Sequence, residues 1–210
     1  MEVTCGKHPA ARLLQAAGLL TIAKTLAVNR KITMHPDPGN ELVDVLDADG
    51  HVIGTATRRA MRQRGLRHRC CYVLVFNSQG ELFIHLRTAT KDVYPSHWDV
   101  TIGGVLAAGE DWAEGTRRET REELGVDAIP EELFPFHYAD ANSEVFARVY
   151  RLVHDGPFRL QPEEIVRGEF VTVDEVLARA QREPFCPDGL EVLAQYRAAT
   201  SIPGPGVCRG

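Results

Sequence analysis

From Glu41 onward the chain alternates apolar and polar residues in "ELVDVLD", breaks at "DADG" and resumes in "HVIGTAT", the period of two and the turn chemistry of a β-hairpin. "RRAMRQRG" then reads as a short basic helix. Next, "CCYVLVFN" is almost continuously apolar, "NSQG" turns the chain and "ELFIHLR" returns. The first strand of this second hairpin should be central, because a strand covered on both faces loses its alternation. "DVTIGGV" predicts another strand ending at Gly103 and Gly104. A helix is expected to open after Gly109 and end near Leu124, stopped by Gly125 in the position that favours glycine. Strands follow at "LFPFHYA", "EVFARVYRLV" and "GEFVTV", then helices at "DEVLARAQ" and "GLEVLAQYRAA". Hairpins with intermittent helices predict an α/β (α+β) fold, a mixed central sheet covered by helices on both faces.

The helix after Gly109 carries the candidate chemistry. At about 100° per residue from Trp112, a stripe of Trp112, Ala113, Thr116, Thr120 and Leu124 covers roughly 0–120° and is expected to pack on a sheet. Glu122, Glu119 and Glu123 fall at about 280°, 340° and 20°, beside that stripe rather than opposite it. Three carboxylates within an arc of about 100° repel one another unless a cation or a proton intervenes. Gly115, at about 300°, costs a helix interior about 1 kcal/mol, so space beside the acids outweighs propensity there. A solvated helix with i,i+4 pairs such as Arg118 with Glu122 would explain RExxEE alone. The fixed spacing of Gly104, Glu110, Arg118, Glu119, Glu122, Glu123 and Gly125 favours a site.

With 210 residues, 44% of them hydrophobic, the chain can bury one sizeable core. The apolar stretch "LLQAAGLLTIAKTLAV" is broken by Gln15 and Lys24 and is too short to span a membrane. "MHPDPGN" marks a boundary. The expected division is a leader at 1–38, a catalytic-size domain at 39–200 and a loose tail at 201–210. A net charge of −5 argues against a general nucleic-acid binder. Five cysteines without CxxC spacing read as reduced thiols, which suits the cytoplasm.

The segment "GGVLAAGEDWAEGTRRETREELGV", Gly103 to Val126, resembles the Nudix box, G-x5-E-x7-R-E-U-x-E-E-x-G-U, at every polar position. Thr120 departs from it, standing where a bulky aliphatic is usual. "LRHRCCYVLVFNSQGELFIHLRTATKDVYPSHW" is similar to the same stretch of isopentenyl-diphosphate isomerases and of related bacterial Nudix hydrolases.

The resemblance implies the Nudix-type α/β/α sandwich and a metal site. Glu119, Glu122, Glu123 and the Gly104 carbonyl would hold Mg²⁺, with Mn²⁺ as a substitute. Arg118 would orient Glu119, and Glu110 would pin the glycine loop. Arg87 and Lys91 would contact the substrate diphosphate. For the general base, Glu119, Glu144, Glu164 and Glu169 are all candidates; Glu169 is preferred after Glu119. His68 matches a metal-binding histidine of the isomerases and equally fits a satisfied histidine at a strand start. The implied activity is Mg²⁺-dependent hydrolysis of a nucleoside diphosphate linked to another moiety, or of a nucleoside triphosphate. Isomerase activity is the alternative, disfavoured because Gly103 and Val105 stand where the isomerases carry a cysteine and a histidine. A ligand sensor without turnover is a third reading, opposed by the complete box. The expected partner is a small-molecule diphosphate, with no nucleic acid and no membrane; a homodimer is left open.

Residues 1–35 contribute no strand pattern and precede the Pro/Gly boundary. A chain beginning at Met34 is expected to match the full chain in melting temperature and turnover. A large loss of either would show that this segment docks on the domain.

Overall fold

The computed structural model describes residues 37–200; the expected leader up to residue 36 and the tail at 201–210 lie outside the described residues. The Pro/Gly punctuation becomes a short 3-10 turn, Pro38–Asn40, in which Asp37 accepts the Gly39 amide at 2.9 Å and pairs with Arg59 at 2.5 Å. Strands β1 (Leu42–Leu46) and β2 (Val52–Thr57) form the predicted antiparallel hairpin. Helix α1 (Arg58–Arg64) follows directly, with the Thr57 hydroxyl accepting the Ala60 amide and Gly65 ending it at φ +59°.

The main sheet is mixed. Strand β3 (His68–Phe76) runs parallel to β7 (Glu144–Val153), which pairs antiparallel with β6 (Glu131–Ala139). On the other side, β4 (Leu82–Arg87) pairs antiparallel with β8 (Ile165–Val171). Strands β3 and β4 meet only through Phe76 and Leu82 at their hairpin end and then part. The gap is filled by residues 98–106. Strand β5 (Trp98–Asp99) pairs with Leu86 and His85 of β4, while Ile102 and Val105 bridge to Val73 and Cys70 of β3.

The strand expected at "DVTIGGV" is therefore two residues of β5 followed by isolated bridges. Asp99 Oδ1 accepts both the amide and the hydroxyl of Thr101, bending the chain, and Gly103 turns it again at φ +136°. Hydrogen bonds nevertheless continue to β3, from the Cys71 amide to the Gly104 carbonyl at 3.0 Å and from the Leu106 amide to the Arg69 carbonyl at 3.0 Å.

Strand β3 is buried on both faces, as its apolar run requires. Tyr72, Leu74 and Phe76 face a core closed by Met61 of α1, Val176 of α3 (Val173–Ala180) and Val192 and Leu193 of α4 (Pro187–Thr200). Cys71, Val73 and Val75 face a second core closed by Leu124 of α2 (Trp112–Leu124) with Leu106 and Ile165. This is the predicted helix-covered mixed sheet.

A Cβ on Gly103 would stand 2.2 Å from the Cys71 carbonyl oxygen, and the positive φ adds strain to any other residue. The backbone that carries the glycine loop thus has no room for the cysteine that isomerase chemistry would place there. Gly103→Ala is expected to destabilise the fold by more than about 2 kcal/mol, read from urea unfolding. Wild-type stability in this variant would show that the loop can leave β3 at little cost.

Candidate active site

Helix α2 is capped by Asp111, which accepts the Ala113 amide at 2.9 Å, and ends at Gly125 with φ +71°. Its buried face is turned toward the acids relative to the stripe expected from its apolar residues. Ala113 is exposed, whereas Glu119 and Glu123 retain only 9% and 4% of their accessibility. Gly115 explains part of the shift, because a Cβ there would lie 2.9 Å from Leu106 and 3.0 Å from the Glu110 carboxylate. Thr120 is fully buried at its unusual position, and its hydroxyl donates to the Thr116 carbonyl at 2.8 Å.

Arg118 gathers the acids. Its Nε and Nη2 donate to the two Glu110 oxygens at 2.8 and 2.9 Å, while Nη1 donates to Glu119 at 2.8 Å and to Glu122 at 3.2 Å. Glu110 in turn accepts the Ala107 amide at 2.9 Å, pinning the loop before the helix. The glycine loop lies on the buried carboxylates: a Cβ on Gly104 would be 3.0 Å from Glu119 Oε2, and the Gly103 amide donates to Glu123 Oε2 at 3.4 Å. Glu122 is half-exposed. Burial pushes the Glu119 carboxyl up to about 7 against the opposing pull of Arg118, and pushes Glu123 well above its ordinary value. Two carboxyls so placed favour a proton or an added cation over two bare charges.

Of the candidate bases, Glu119 belongs to this cluster, while Glu169, preferred after it, makes its ion pair elsewhere. It lies half-exposed on β8 and accepts from Arg179 of α3 at 2.9 Å. Glu144 is likewise taken, by Arg67 at 2.5 Å. Glu164 is the acid whose charge acts on both Glu119 and Glu123. The amides of Arg159 and Gln161 donate to the Leu124 and Glu123 carbonyls at 2.8 and 3.1 Å, so the loop before β8 caps the C-terminus of α2 and carries Glu164 with it. Lys91 pairs with Glu164 and holds its carboxyl below the ordinary range.

Arg87 lines the same cleft, but its Nη1 and Nη2 donate to Asp99 at 3.1 Å and to the Val93 carbonyl at 3.0 Å. His68 is a satisfied core histidine: its Nδ1 donates to the Leu66 carbonyl at 2.9 Å, its Nε2 faces Arg62 at 3.4 Å, and burial lowers it to about 4. An open cleft runs past Gly103 and Gly104 to Lys91 and to Arg58 and Arg62 of α1. A second, wider one adjoins it at the same three cations and reaches Glu164. The two arginines were visible in the sequence only as a basic helix.

Among the described residues, Asp47, Asp49 and His51 also bring ligand-type atoms within 4.8 Å of one another. They form the exposed β1–β2 turn, where Asp47 Oδ1 accepts the Asp49 and His51 amides at 2.9 Å each. That geometry accounts for the cluster as a turn.

The NUDIX domain model matches residues 66–196. An uncharacterised Nudix hydrolase of Pseudomonas aeruginosa is 39% identical over 157 residues, 74% of this chain and 93% of that one. The crystal structure of the Deinococcus radiodurans protein DR0079 superimposes with a TM-score of 0.65 at 32% identity, covering 74% of this chain and 98% of that one. The Nudix domain of Shewanella oneidensis NrtR, solved with ADP-ribose, shares the fold at a TM-score of 0.52 and 15% identity, over 63% of this chain and 88% of that one. The chain belongs to the Nudix hydrolase family, enzymes that act on pyrophosphate bonds and generally use divalent metals. Among the described residues no helix is long and apolar enough to cross a membrane.

Arg118 opposes the upward push on Glu119. In chelator, Arg118→Ala is therefore expected to move the Glu119 carboxyl above about 7, followed by carbon-detected NMR titration. An unchanged or lower value would mean that Arg118 does not stabilise the ionised carboxylate.

Proposed function

We propose that this chain is a Mg²⁺-dependent hydrolase that cleaves the phosphoanhydride of a nucleoside diphosphate linked to another moiety, or of a nucleoside triphosphate. One observation carries the reading: two buried carboxylates, Glu119 and Glu123, lie against a glycine loop at a cleft lined by cations.

The residues fit the metal. Glu119, Glu122, Glu123 and the Gly104 carbonyl form an all-oxygen set of the kind hard divalent cations take, and Mn²⁺ suits the same donors. The missing Cβ of Gly104 leaves the backbone in contact with the Glu119 carboxylate, where a side chain would intrude. When bound, the cation would neutralise anhydride oxygens and lower the pKa of a water.

The protein's own groups do the rest. Arg118 positions Glu119 and Glu122 through Nη1, anchored by its two bonds to Glu110. Glu164 is the general base in place of Glu169: its pairing with Lys91 keeps it ionised, ready to accept a proton from the attacking water. Lys91 has three donors, so with one on Glu164 it can turn others to a substrate phosphate. Arg87 adds positive field to the cleft while its terminal nitrogens hold Asp99 and the Val93 carbonyl.

The test is product release from nucleoside triphosphates, nucleotide sugars and ADP-ribose in Mg²⁺ against chelator. At least one compound should be cleaved in the first condition and none in the second. Glu164→Gln is expected to lower kcat on that compound by roughly 10²–10⁴-fold, while Glu169→Gln stays within about threefold. The reverse ranking would return the base to β8.

A further inference from the structure

Arg62 is a half-buried guanidinium that makes no ion pair. Among the described residues it has no carboxylate within 4.0 Å. Two neutral acceptors hold it instead, the Ser143 hydroxyl at 3.2 Å and His68 Nε2 at 3.4 Å, both approached by Nη1. His68 serves as acceptor because its Nδ1 proton is spent on the Leu66 carbonyl. The Nε of Arg62 and the Nε of Arg58, one turn earlier on α1, are buried without hydrogen-bond partners.

The surroundings deepen the imbalance. Burial and the neighbouring Arg58 lower the affinity of Arg62 for its proton, and the charge of Asp92 offsets them only in part. Arg58 reaches Glu41 only at 3.6 Å, and Lys91 is shared with Glu164. All three cations line both clefts, at the junction between them. A buried charge is normally paired, and removing one from water without a counter-ion costs several kcal/mol. An arrangement that orients an arginine with neutral acceptors and leaves it without an ion pair is suited to an anion that arrives from the cleft.

We propose that Arg58 and Arg62 of α1, with Lys91, form a subsite for a phosphate group of the substrate, facing the glycine loop from the α1 side of the cleft. The subsite rests on the hydrolase reading for the chemistry of its ligand. Arginine supplies the forked donors that a phosphate accepts in pairs, and Lys91 adds a point charge. His68 and Ser143 are positioning residues for Arg62.

Inorganic pyrophosphate is the probe, titrated calorimetrically into the full chain in chelator, where no turnover is needed. Arg62→Gln and Arg58→Gln are each expected to weaken binding at least tenfold, and Arg64→Gln, an exposed α1 arginine with the same charge change, to leave it within twofold. In Mg²⁺, on any compound the enzyme cleaves, the first two should raise KM with kcat largely kept. Arg58→Gln keeps the test open if Arg62→Gln fails to fold. Wild-type pyrophosphate affinity in the folded variants, or equal weakening by Arg64→Gln, overturns the proposal. Loss of binding in a protein that cleaves no phosphoanhydride would uphold the subsite and reject the hydrolase reading alone.

Discussion

Two carboxylates are held out of water beside a backbone that is bonded to the central strand, and the neighbourhood is organised around the cost of that burial. An exposed ion pair contributes at most about 1 kcal/mol, whereas burying an unpaired charge costs several. Arg118 alone does not close that gap, since it divides its donors among Glu110, Glu119 and Glu122 while Glu123 takes a single long bond from the Gly103 amide. The raised carboxyls of Glu119 and Glu123 express the remainder. The proposed divalent cation would complement them, and the glycines on one side and the buried helix face on the other leave the acids little freedom to separate.

Charge of the opposite sign gathers across the cleft. Lys91, Arg58 and Arg62 come from different elements, the loop after β4 and helix α1, yet line a common junction. On the proposed reading, a diphosphate substrate would meet both at once, presenting oxygens to a cation on the carboxylate side and negative charge to the guanidinium side. The chain's overall charge of −5 hides this polarity, which exists only locally.

Most of the scaffold was legible from periodicity. The apolar run of β3, the alternation in the hairpins and the Gly125 stop of α2 each have a local cause that survives folding. The acids of α2 were legible too, because i, i+3 and i+4 spacing fixes their common side before any tertiary contact forms. Other features depend on contacts between distant segments. The loop that carries Glu164 is held against the end of α2 by the Arg159 and Gln161 amides, a contact that no periodicity encodes. Arg62 became distinctive only when its partners proved to be neutral groups, one of them, Ser143, far along the chain. The helix turned its buried side further than its apolar stripe indicated because a missing side chain at Gly115 let Leu106 and Glu110 close in.

The stretch wedged between β3 and β4 bonds to one strand near Trp98 and to the other from Ile102 to Leu106. It is a keystone: the sheet closes only when it is seated. Insertions and deletions in this stretch would slide the carboxylate floor and part β3 from β4 in one move, so its length is tightly constrained. The opposite wall, built from the Lys91 and Glu164 loops, bears no such obligation to the sheet's closure. Remodelling that wall could therefore alter ligand preference while leaving the floor in place.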